Sequence, residues 1–199
     1  MKTFIIKARK GTTRWERLRS QIGSSEHFEV VAHCVINAFF ISSDFRTDVE
    51  VYIILDSSED FPRTIKLSSS EGLSLSGFHE EAVVAVVEKA LKDSQGLKKN
   101  ETRNVTPGVS VSGFGFEKLV EQLLETRPLY LLAPKGEDIR TITIEPNPVF
   151  ILSDHLAMPK KSISGLKRHG VKTISLSKKM LFASQCVVLI HHEMDLAMA

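Results

Sequence analysis

Apolar and polar positions alternate along this chain in blocks of two lengths. Phe4 to Ala8 and Val51 to Leu55 are short apolar runs of strand length. Val30 to Phe40 is apolar on most faces and too long for one strand, so it reads as a buried helix. Gly77 to Lys92 carries a continuous valine-rich stripe flanked by Glu80, Glu81, Glu88 and Lys89, again at helical length. Ser112 is positioned to cap a further helix over Phe114 to Thr126, with Leu119, Val120, Leu123 and Leu124 facing inward. Strands and helices then alternate: Leu129 to Leu132, Val149 to Leu152, a short helix over Ile163 to Arg168 closed by Gly170, Val171 to Leu176, and Lys179 to Ile190. This order predicts an α/β fold with a mainly parallel sheet and helices on both faces. The polar stretch Asp93 to Pro107 reads as a loop, and no internal repeat is visible.

Composition narrows the class. A chain of 199 residues with 42% hydrophobic and 25% charged positions is expected to form a single domain, residues 1–199, able to bury a real core. No apolar run has the length of a bilayer span, and MKTFIIKARKGTTRWERL is too charged for a secretory signal, so a cytoplasmic location without membrane contact is expected. Cys34 and Cys186 lie in separate apolar segments and read as reduced, packed thiols. The net charge of +2 says little about partners, but its distribution says more. Lys2, Lys7, Arg9, Lys10, Arg14, Arg17 and Arg19 crowd the N-terminal region around Trp15, and Lys160, Lys161, Lys167, Arg168, Lys172, Lys178 and Lys179 crowd the C-terminal third. Both clusters suit phosphate contacts as well as simple solvation.

Ligands in open α/β sheets gather at the carboxyl ends of strands. Three such loops stand out: LLAPKGEDIR after Leu129 to Leu132, SDHLAMPKK after Ile151, and LSKKMLFASQC after Ile174. None carries a GxGxxG or Walker pattern, so dinucleotide and P-loop nucleotide binding lose support. Ser153, Asp154 and His155 are consecutive at a strand end and therefore point in different directions, unlike a convergent hydrolytic triad. His191, His192, Glu193 and Asp195 lack the HExxH spacing, and no metal site is expected.

The segment from PLYLLAPKGEDIR through PNPVFILSDHLAMPKKSISGLKRHGVKTISLSKKMLFASQCVVLIHHEMD resembles the S-adenosyl-L-methionine (SAM) binding half of the SPOUT methyltransferases. Within them it resembles the TrmY family, archaeal enzymes that methylate N1 of pseudouridine in tRNA. FFISSDFRTDVEVYIIL and SGFGFEKLVEQLLE extend the likeness upstream. The resemblance implies a deep trefoil knot formed by about residues 128–199, an RNA-facing N-terminal part, a homodimer, and SAM as cofactor. Carried over by position, cofactor contacts fall on Leu132, Ser153, Leu176, Ser177, Lys178, Lys179, Met180, Leu181 and Cys186.

The implied activity is SAM-dependent methylation of pseudouridine in RNA, with tRNA as the RNA and no DNA partner. Methyl transfer from a sulfonium requires alignment and removal of the N1 proton, and Asp154 is the candidate for orienting or accepting it. Three departures are visible. Ser153 and Ala157 replace glycines of the archaeal pattern, His27 and Glu29 stand where it has Arg and Asp, and SGFHEEA replaces its Pro-Asp-Glu-Arg motif. They leave two alternatives open: a knotted protein that binds SAM or RNA without methylating pseudouridine, and a SPOUT methyltransferase acting on another base.

Overall fold

A computed structural model describes residues 1–57 and 59–197. In chain order the elements are β1 (Lys2–Ala8), α1 (Trp15–Leu18), α2 (Phe28–Phe39), β2 (Phe40–Ile41), β3 (Asp44–Phe45), β4 (Val49–Leu55) and β5 (Arg63–Ser68). They continue with α3 (Glu80–Asp93), β6 (Thr102–Thr106), β7 (Val109–Ser112), α4 (Phe116–Leu124), β8 (Leu129–Asp138), β9 (Val149–Ser153), α5 (Lys160–Arg168), β10 (Lys172–Ser175) and α6 (Ala183–Leu196). Eight strands form one sheet in the order β10-β8-β9-β1-β4-β5-β7-β6, while β2 and β3 form a separate small hairpin.

The five strands from β10 to β4 are mutually parallel. At their centre β1 is buried along its whole length, as a strand covered on both faces must be. Alternation divides its side chains. Phe4, Ile6 and Ala8 join the core beneath α2, α3 and α6, whereas Ile5 joins Leu129, Leu131, Val149 and Ile151 beneath α4 and α5. Its buried lysines are paired at the two ends: Lys2 with Asp48 and Asp195, Lys7 with Asp56 and Glu117.

The other sheet edge departs from the expected layout. β5, β7 and β6 add as antiparallel strands, so the stretch read as a loop over Asp93 to Pro107 contains an edge strand. β6 reads Thr-Arg-Asn-Val-Thr and alternates half-buried with exposed positions, which leaves no apolar period to detect. Pro107 and Gly108 turn it into β7; Gly108 has φ +70°, and a Cβ there would meet the Leu73 nitrogen at 2.3 Å. Ser112 consequently ends β7, its hydroxyl 2.8 Å from that of Thr102, and Gly115 occupies the cap position of α4. In the C-terminal third β8 runs on to Asp138 and α6 begins only at Ala183, so residues 176–182 are loop.

Candidate active site

Two irregularities of the sheet create a cleft at the carboxyl ends of β8 and β10. The β10 register against β8 pairs Thr173 with Leu131 and then Ile174 with Glu137, so residues 132–136 leave the ladder. That excursion presents Leu132, Ala133 and Pro134 to one side of an open cleft of about 370 Å³. The opposite wall is the loop between β10 and α6, with Leu176, Ser177, Lys179, Met180 and Leu181, and Cys186 of α6 closes the base.

Seven residues marked by sequence thus meet around one space: Leu132, Leu176, Ser177, Lys179, Met180, Leu181 and Cys186. Ser153 and Lys178 are not in its wall. Ser153 pairs with Lys7 of β1 at the end of β9, one strand position removed from β8, and the exposed Lys178 lies between two residues that do line the cleft. The leucines and methionine offer apolar walls of the kind that hold an adenine ring. Met180 is 82% exposed, so the mouth is open. Burial pushes the Cys186 thiol up to about 11, and Cys34 behind it is driven higher still by burial and by neighbouring Cys186 and Asp154. These are packing thiols, not nucleophiles.

Asp154 is fixed more tightly than its expected role requires. Its Oδ2 accepts the Arg9 N–H at 3.1 Å and its Oδ1 accepts the Leu156 N–H at 2.8 Å, with the side chain 1% exposed. Burial raises its carboxyl above the usual carboxylate range against the opposing pull of the Leu156 N–H. With both oxygens occupied by backbone donors, Asp154 binds the end of β9 to the chain leaving β1. Both contacts orient the loop, and each carboxylate oxygen keeps a further lone pair.

A pair missed as a site by sequence reading lies beside it. His27, the cap residue of α2, sits in the left-handed region at φ 51°, an uncommon conformation for a residue with a Cβ. Its Nδ1 is 2.8 Å from Glu29 Oε1, and Glu29 Oε2 accepts the Gly23 N–H at 3.0 Å. Burial opposes ionisation of Glu29, but the Gly23 N–H and His27 outweigh it and hold its carboxyl below the usual range. The His27 ring packs edge-on against His155 with centroids 4.7 Å apart. His155 in turn has a buried Nδ1 without a hydrogen-bond partner, 3.9 Å from Asp154 Oδ2. The signal in the sequence was the His-x-Glu spacing, read only as a departure from a family pattern.

Among the described residues no group of three metal-ligating side chains converges, and no helix is long and apolar enough to cross a membrane.

Comparison with known proteins agrees with this geometry. Residues 1–199 match the protein-family model described as "Putative SAM-dependent RNA methyltransferase". A protein of Photobacterium profundum named "Putative pseudouridine methyltransferase" is 46% identical over 198 residues, covering 100% of both chains. Proteins of the same name from Vibrio cholerae (47% identical, 98% of this chain and 97% of that one) and Alcanivorax borkumensis (44% identical, 99% of each) are similar throughout. Among solved structures, Archaeoglobus fulgidus Nep1 bound to S-adenosylhomocysteine superposes with a TM-score of 0.65 over 99% of this chain and 97% of that chain. Its sequence is only 12% identical, so that likeness speaks for the fold. Full-length match to the family model and relatives near 45% identity lead to one conclusion: this chain belongs to the family of SAM-dependent RNA methyltransferases.

Proposed function

We propose that the protein methylates N1 of pseudouridine in tRNA, with SAM held in the cleft between the β8 excursion and the loop preceding α6. The observation that carries the reading is that cleft, which gathers Leu132, Leu176, Met180, Leu181 and Cys186 from three separate segments at the strand ends. The pseudouridine specificity rests on the relatives' names, and the tRNA on the resemblance of the sequence to the TrmY family. Bound SAM supplies a methyl group on a sulfonium, an already activated electrophile.

The chain's own residues supply grip, alignment and a proton acceptor. Leu132 and the 176–181 loop hold the adenosine portion by apolar contact and backbone hydrogen bonds. Ser153 and Asp154 fix the rim of β9 beside the cleft, and Lys178 is placed to meet an RNA phosphate. The acceptor for the N1 proton is His27. Glu29 holds its Nδ1, which leaves Nε2 as the free nitrogen of a half-exposed ring. The base must leave its stack to reach this point.

Threading of the C-terminal segment beneath the β8 excursion belongs to the same proposal. So does pairing of two copies beside the cleft, where Met180 and Phe182 are 82% and 66% exposed. A cytoplasmic location suits an enzyme of tRNA. The deciding experiment incubates the protein with methyl-labelled SAM and two tRNA transcripts, one with uridine and one with pseudouridine at the same position. Label confined to the second supports the proposal. Label in neither, with S-adenosylhomocysteine still bound, would leave a binder without this activity.

A further inference from the structure

A second cleft, of about 990 Å³, opens where the chain leaving β1 crosses the start of β5. Three consecutive residues, Thr13, Arg14 and Trp15, form one side of it. Their surroundings are fixed. Gly11 O accepts the Ser57 N–H at 3.2 Å, Thr12 N–H donates to Gln21 Oε1 at 3.0 Å, and the Thr12 hydroxyl donates to Glu59 Oε2 at 2.6 Å. On the far side Arg63 stacks its guanidinium 3.9 Å over the Phe61 ring and donates to Asp60 at 2.9 Å.

What the cleft lacks is partners for its own polar groups. Thr13 is 8% exposed, yet its hydroxyl makes no hydrogen bond, and the buried indole N–H of Trp15 makes none either. Leaving such groups unsatisfied costs about 1–3 kcal/mol each, so two of them at one cleft ask for an outside acceptor. Charge points the same way. Arg17 is committed to Glu59 and Arg63 to Asp60, while the exposed Arg14 makes no ion pair among the described residues. Lys92 lies 4.3 Å over the Trp15 ring but is paired with Glu88 at 2.9 Å, and Glu16 also lines the cleft, so Arg14 is the cation left to meet an anion there.

We propose that the Thr13-Arg14-Trp15 cleft is a second RNA subsite, gripping one phosphodiester of the substrate strand away from the target base. Arg14 supplies the charge, and the Thr13 hydroxyl and Trp15 N–H, enclosed in the free protein, join it by side-chain rotation as the strand seats. The cleft lies at the carboxyl ends of β1 and β4, the same end of the strands as the cleft between β8 and β10. Arg63 opens β5, four strand positions from β8 or about 19 Å at the usual strand spacing, so the nucleotide held here is not the one undergoing reaction. This inference rests on RNA being the substrate, but not on which base is methylated.

Trp15 is the chain's one tryptophan, which makes its emission a local reporter. The full chain, saturated with S-adenosylhomocysteine, is titrated with a single-stranded oligoribonucleotide and with the same sequence on an uncharged methylphosphonate backbone. RNA is expected to shift Trp15 emission saturably, and the uncharged analogue to bind at least tenfold more weakly. Arg14→Ala should weaken RNA binding about five- to tenfold and lower the salt-dependence slope by about one. Thr13→Val, nearly isosteric, should weaken it a few fold. Neither variant should alter S-adenosylhomocysteine affinity or melting temperature. RNA retained on a filter with Trp15 emission unmoved would overturn the subsite, as would both variants binding RNA like the parent. Failure of the methyltransferase reading would show separately, as absent S-adenosylhomocysteine binding.

Discussion

The backbone of Gly136 lies directly against that of Ile174: a Cβ on Gly136 would fall 2.3 Å from the Ile174 carbonyl carbon and 2.6 Å from its Cα and nitrogen. This is the point where β8, after its excursion, returns to pair with β10. The same close passage that closes the excursion also builds the wall of the cleft proposed to hold SAM.

Gly136→Ala is therefore expected to be disruptive. The obstacle is the main chain of Ile174, which cannot swing away as a side chain would, so the cost should reach about 3 kcal/mol or more. Thermal melting by circular dichroism should show a large loss, and calorimetry should show loss of S-adenosylhomocysteine binding. Gly165→Ala is the control, since a Cβ there meets nothing within 4 Å and alanine favours the interior of α5. A Gly136→Ala protein that melts with the parent would refute the close crossing.

Thiol chemistry tests the base of the cleft. With its pKa pushed up to about 11 by burial, Cys186 is thiolate to about one part in a thousand at pH 8. A thiol-disulfide reagent should label the native protein slowly, and S-adenosylhomocysteine should slow Cys186 labelling further. Cys34, fully buried, should react only on unfolding. Rapid labelling of Cys186 unaffected by ligand would place it outside the binding site.

The parallel half of the fold was legible because its strands are continuous apolar runs, as in FIIKA and VFIL, separated by amphipathic helices. The antiparallel half was not. β6 carries Arg, Thr and Asn at half-buried and exposed positions, and β5 offers only Ile65 and Leu67 as alternating apolar positions between Arg63, Thr64 and Lys66, too short a period to stand out. The cleft residues were legible by resemblance, since nothing in the spacing of leucines distinguishes a cofactor wall from a core. Asp154 illustrates the opposite limit. Its residue type suggested a proton acceptor, while its second duty, accepting the Arg9 and Leu156 N–H groups that tie β9 to the chain leaving β1, left no mark in the sequence.

His27→Asn separates the proposed proton acceptor from its backbone duty. Asparagine tolerates the left-handed conformation that His27 adopts at φ 51°, so the start of α2 should survive. The substitution removes the imidazole facing His155 and is expected to slow methyl transfer by about a hundredfold, the low end of general base contributions. S-adenosylhomocysteine affinity should not change, and raising pH should recover part of the rate as N1 ionises without help. An unchanged pH–rate profile would remove His27 from the chemistry.

His191 should make stability depend on pH in a definite direction. Burial, followed by the nearby charges of Arg46 and Lys2, lowers its pKa from the ordinary 6.5 to about 4. The ring is packed edge-on to Phe4 with centroids 5.1 Å apart, its Nε2 is 3.0 Å from Ala38 O, and its buried Nδ1 has no partner. The tautomer that donates from Nε2 satisfies Ala38, and a proton added at Nδ1 would be enclosed without an acceptor. Between about pH 6.5 and 4 the unfolded chain takes up a proton that the folded chain refuses. The contribution to stability is thus complete above about 6.5 and is lost as pH falls toward 4, by about 3 kcal/mol at most. Denaturant midpoints measured from pH 7.5 to 4.5 should fall more steeply for the parent than for His191→Gln, whose amide can still donate to Ala38 but does not titrate. Parallel curves would mean that His191 is protonated, or exposed, in the folded protein.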